Sequence, residues 1–204
     1  MRKIMLILAV LTTTFVSAQF NFQLEAGKEV KGAIEWEYHT DNSMGYAYSE
    51  WLLNGNKATM NWAQVFWEQK FWKAPVFIHG EFRTGMTTEY AFGNTYLLGA
   101  AIGLVQGKYG YLTLEPLYRY ENKQHGYQMS VVSGFQYKSL LFTSYVDLWA
   151  FDKPKETILC SENKLFYNLY KGLSIGANIE LGYNYRHEDK WSFYPFGVIR
   201  YNIE

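Results

Sequence analysis

This 204-residue chain has one cysteine, four prolines and no excess of either charge. The single thiol, Cys160, cannot close an internal disulfide or build a multi-cysteine zinc site. The 19 basic and 19 acidic side chains cancel, so the basic footprint of a nucleic-acid binder is missing. No apolar run approaches the roughly 20 residues of a transmembrane helix. The longest, Leu97 to Val105, is interrupted by Gly99 and Gly103. No glycine-rich loop leads into a helix, and no His/Asp/Glu group shows metal-ligand spacing, so neither cofactor nor metal is expected. What the chain does have is aromatic residues, 18 Tyr, 14 Phe and 7 Trp, a bias that favours β-structure.

Residues 1–18 read as a secretory signal peptide. Arg2 and Lys3 form the positive region, Ile4 to Leu11 the apolar region, and Val16-Ser17-Ala18 the small-residue cleavage site. Residues 19–204 then form one domain. Its period is two. From Leu173 to Tyr185 the odd positions are Leu, Ile, Ala, Ile, Leu, Tyr and Tyr, whereas the even positions from Ser174 to Arg186 are polar or glycine. Side chains alternate faces along a strand, so one face is apolar and the other polar. The same alternation predicts twelve strands, at 19–26, 31–39, 44–53, 58–71, 75–84, 95–106, 110–121, 126–137, 140–151, 157–169, 173–186 and 191–203.

The polar face carries ionisable groups on most strands, and the apolar face ends in aromatics such as Tyr118, Tyr127, Tyr183 and Tyr185. That pattern inverts a soluble barrel: the apolar face meets lipid and the polar face lines a lumen. The expected fold is all-β, a closed antiparallel transmembrane β-barrel of about twelve strands in the outer membrane. Longer connections are expected at one end, at 54–57, 85–94, 122–125, 152–156 and 187–190, and short turns at the other. Pro116 and Pro195 suggest bulges.

Phe66 to Phe82, Asn94 to Ala100 and Leu114 to Tyr120, together with the leader, resemble a family of Gram-negative outer-membrane proteins that is known only as a domain of unknown function. That family is similar in turn to the nucleoside-specific channel Tsx, a twelve-stranded barrel. The resemblance implies a barrel and points to nucleosides as solutes; it assigns no site residue.

By parity the lumen gathers Glu35 from strand 31–39, Glu68 and Lys70 from 58–71, and His79, Glu81 and Arg83 from 75–84. Glu115 and Arg119 come from 110–121, Asp147 from 140–151, Glu162 and Lys164 from 157–169, Glu180 from 173–186 and Arg200 from 191–203. Tyr46, Phe66, Phe77, Tyr145 and Trp149 share this face. Charges in a narrow barrel must be paired or hydrated. They serve either as a scaffold of salt bridges or as a constriction that selects solutes. The expected function is a passive narrow channel for small polar solutes. The alternative is a structural or surface-binding barrel with a closed lumen, acting through loop 85–94. No serine or cysteine stands in a nucleophile motif with a histidine, so no enzyme is expected. The expected partners are outer-membrane lipid and a small polar solute.

Overall fold

The structure is a computed structural model that describes residues 18–27, 29–54, 57–71, 73–87, 91–151, 156–184 and 191–203. The proposed signal peptide lies outside these residues, except for Ala18. Twelve strands follow one another: β1 (Ala18–Ala26), β2 (Val30–His39), β3 (Ser43–Asn54), β4 (Lys57–Lys70), β5 (Val76–Thr87) and β6 (Ala91–Gly107). The second half continues with β7 (Gly110–Glu121), β8 (Gln124–Tyr137), β9 (Leu140–Phe151), β10 (Glu156–Tyr170), β11 (Leu173–Tyr183) and β12 (Trp191–Ile203). Each strand pairs antiparallel with the next. β1 closes on β12, from Phe20 opposite Ile203 to Ala26 opposite Gly197. Closure leaves no free sheet edge, which is what lets strands cross a bilayer.

The facing is inverted as the alternation requires. On β1, Phe20, Phe22 and Leu24 point outward and are exposed, whereas Asn21, Gln23 and Glu25 are buried inside. On β11, Ile175, Ile179 and Leu181 point out, and Ser174, Asn178 and Glu180 point in. Such an apolar exterior is costly in water and favourable in lipid. Aromatics border it at both ends: Tyr96, Tyr118, Tyr127, Tyr183 and Trp191 near one, Tyr109, Tyr137, Tyr170 and Tyr201 near the other. At the latter end, which also holds the start of β1 and the end of β12, Lys108, Lys138 and Lys171 each lie over a neighbouring tyrosine ring, at 5.3, 5.3 and 5.4 Å. Exterior and closure together make this an outer-membrane barrel.

Several expectations change in detail. Strands β5 and β6 extend into 85–94, with Met86 paired to Ala91 and Gly85 to Phe92, beyond a register shift at Arg83/Gly85. The expected loop shrinks to 88–90, outside the described residues, and Tyr90 with it. The connection at 122–125 shrinks to Asn122 and Lys123, both with positive φ (50° and 65°), a two-residue turn whose twist matches the flanking strands. At this end only 184–190 is then longer than the longest connection at the other end, 71–75, so the expected length asymmetry rests on 184–190 alone. β11 stops at Tyr183, because Asn184 turns into the left-handed region at φ 57°. Tyr185 and the other residues of 185–190 lie outside the described set.

Neither proline marks a bulge. The register runs unbroken through Pro116 opposite Met129 and Pro195 opposite Ile179. Each instead has an incomplete ladder on its other side. The β6–β7 pairs pass from Gly99–Leu117 to Ile102–Leu114, and Pro195 lies beyond the last β1 pair. An N–H is dispensable where no partner takes it.

Candidate functional site

The lumen is built from the inward positions of every strand, and a hydrogen-bonded chain of side chains crosses it. His79 on β5 contacts Glu68 on β4 (Nδ1 to Oε1, 2.9 Å) and Glu81 on its own strand (Nε2 to Oε2, 3.2 Å). The guanidinium of Arg83 donates to Glu81, to the Tyr145 hydroxyl at 2.5 Å and to Asp147 at 3.1 Å. Asp147 also accepts from Ser130 (2.6 Å) and from the Trp149 indole (3.1 Å). Gln128 donates to Ser130 at 2.8 Å, and Arg119 donates to Gln128 at 2.8 Å and to Glu121. The Arg119 guanidinium lies 4.1 Å from the centre of the Trp149 ring.

The facing wall holds a second network. Lys31 bonds Glu180 and lies 3.9 Å from Glu50. Lys164 sits 3.2 Å from Glu162, 3.6 Å from Glu25 and 3.9 Å from Glu35. Asn178 donates to Glu25 and Glu162 at 2.9 and 3.0 Å. Arg200 reaches Glu35 at 3.5 Å, and Asn21 and Gln23 donate to the same carboxylate. Burial of the charges in these two networks is tolerable because each is held by opposite charge or hydrogen bonds.

The two halves of the lumen differ. Lys31, Arg83 and Arg119 are 1–2% exposed and fill the half away from the start of β1 and the end of β12. The other half holds a cavity of about 500 Å³ that reaches His39 and Thr40 at the turn after β2. Six carboxylates line it, Glu35, Glu37, Glu68, Glu81, Glu115 and Glu162, against Lys164, Arg200 and two histidines, so its lining is acidic. Part of the wall is a stack of rings: Tyr46 on Phe66 with centroids 5.0 Å apart, and Phe66 on His79 at 5.2 Å.

Of the residues expected in the lumen, Glu35, Glu68, His79, Glu81, Arg83, Glu115, Arg119, Asp147, Lys164, Glu180 and Arg200 are buried there, and Glu162 is half-buried against the cavity. Lys70 is the exception. It lies half-buried at the end of β4, outside the cavity wall. Glu115 and Arg119 share a face but do not pair; Arg119 takes Glu121 instead. Lys31 was missed, although its parity with Glu35 places it inward. Apolar Leu97, Ala101 and Leu117 also face inward and pack one side of the lumen, which is thus not polar throughout.

No curated protein sequence matches the chain. Among solved structures it is similar to the KdgM porin in complex with disordered oligogalacturonate, at 12% identity and TM-score 0.59, over 91% of this chain and 99% of that one. It is also similar to the NanC porin, at 8% identity and TM-score 0.66, over 92% and 100%. At these identities the likeness is one of fold. Residues 15–203 match the model of a domain of unknown function, DUF5020, and the chain belongs to that family.

Proposed function

We propose that the barrel is a passive channel for small polar solutes that are neutral or cationic. The observation that carries this reading is the acid-lined cavity of about 500 Å³ inside a membrane-spanning barrel. Oligogalacturonate, bound by the KdgM porin, is a polyanion, and six carboxylates would repel it here. The rings of Tyr46 and Phe66 form an apolar strip of the cavity wall beside hydrogen-bonding groups, which suits a nucleoside, the solute that a likeness to Tsx would imply. The half filled by Arg83, Arg119 and Lys31 is then the constriction. The same filled half also favours a second reading, a barrel whose lumen stays closed.

Planar-bilayer conductance, with solute flux into liposomes, tests both. The channel reading expects small, cation-preferring conductance. It also expects a rise in Arg119→Ala, which removes a guanidinium packed on Trp149 and Phe151. A barrel that neither conducts nor passes nucleosides, as wild type or as Arg119→Ala, is a closed one.

A further inference from the structure

On the cavity wall, Glu68 of β4, His79 of β5 and Glu115 of β7 bring one carboxylate oxygen, one imidazole nitrogen and another carboxylate oxygen within 4.8 Å of one another. All three side chains are buried. Glu68 and His79 bond each other. Glu115 differs from the other buried lumen acids. It is 6% exposed, and among the described residues its carboxylate has no hydrogen bond and no ion pair. Arg119, four residues along the same strand, is turned away to Glu121 and Gln128. Arg83 is committed to Glu81 and Asp147. An ionised carboxylate in such a place is costly unless a cation compensates it.

We infer that Glu68, His79 and Glu115 form a binding site for a divalent first-row transition cation, with Zn²⁺ as the reference ion. One imidazole and two carboxylates are a donor set for such ions, and are too few oxygens for a site built for Ca²⁺. Donor atoms within 4.8 Å of one another are near enough to meet on one ion at roughly 2.0–2.2 Å after small side-chain rotations. Nδ1 of His79 turns from Glu68 to the ion, while Nε2 stays on Glu81. That carboxylate behind the imidazole is the usual support of a metal-bound histidine. The three ligands come from three strands that sequence spacing does not connect. The cavity gives the ion an entry path and leaves room for water at its open positions.

The site does not depend on conduction, so its test is binding. The full barrel, purified in detergent and stripped with chelator, is titrated with Zn²⁺ by calorimetry and by competition with a chromophoric chelator. One saturable ion per barrel is expected, with X-ray absorption showing one nitrogen and at least two oxygen donors. Glu115→Gln keeps the shape and removes the charge. It should weaken binding by more than the roughly 10–100-fold lost when a group behind the ligands is removed. Glu68→Gln should do the same, whereas His125→Ala, at the far end of the barrel, should bind as the wild type does. Heat-modifiable gel mobility checks that each variant is folded. Absence of saturable binding in the wild type overturns the site. So does unchanged binding in folded Glu115→Gln and Glu68→Gln.

Discussion

Arg83 on β5 and Asp147 on β9 meet across the lumen, Nη1 to Oδ2 at 3.1 Å, although three strands separate them around the ring. The pair ties opposite walls together, and both partners are nearly inaccessible to water. It is the centre of the chain that runs from Glu68 to Glu121.

Arg83→Ala would strand Glu81 and Asp147 in the interior. Breaking a buried pair in this way costs about 3–5 kcal/mol. Adding Glu81→Gln and Asp147→Asn should recover part of that loss, because the uncompensated charges leave with the guanidinium. Urea unfolding in detergent, arranged as a mutant cycle, measures both steps. A loss below about 1 kcal/mol in Arg83→Ala would show that the network is not what braces the walls.

Ile179 points outward near the middle of β11, between Asn163 of β10 and Pro195 of β12. Ile179→Arg should cost about 2–4 kcal/mol when the barrel sits in a bilayer, as a cation at the membrane midplane does. Leu181→Arg, nearer the end of the strand, should cost less. Equal and small costs at both sites in lipid vesicles would contradict the lipid-facing exterior.

The turn between β7 and β8 holds Lys123 at φ 65°. Lysine pays a steric cost there that glycine does not, and Asn-Gly is the favoured pair for such a turn. Lys123→Gly should therefore raise stability by about 1 kcal/mol, seen as a higher urea midpoint at unchanged slope. An unchanged or lower midpoint would mean that the lysine is not strained.

The strands were legible because alternation is local: a run such as Leu173 to Tyr183 shows its two faces without any knowledge of its neighbours. Inward parity likewise placed Glu81, Arg83, Asp147 and Glu180. What alternation cannot convey is who meets whom. Partners such as Arg83 and Asp147, or Lys31 and Glu180, depend on the stagger of twelve strands around the ring and on how far each side chain reaches. For that reason Arg119 could be placed in the lumen, but its choice of Glu121 over Glu115 could not be read. The meeting of Glu68, His79 and Glu115 escaped for the same reason, since metal spacing is sought within a segment and these residues lie on three. The turn at Asn122–Lys123 looked like a longer loop because neither residue is glycine.

The seam between β1 and β12 sets the order in which the molecule can come into being. Phe20 waits for Ile203, so β1 finds one partner, β2, next to it along the chain and the other, β12, only beyond ten intervening strands. Contacts this distant along the chain are slow to form, and until they do two strand edges stay open to pairing with other chains. The barrel has no smaller version of itself: ten or eleven of these strands would be a curved sheet with two adhesive borders rather than a lesser ring. Assembly is thus an all-or-none event, and its hazard is concentrated in the interval before the ring shuts.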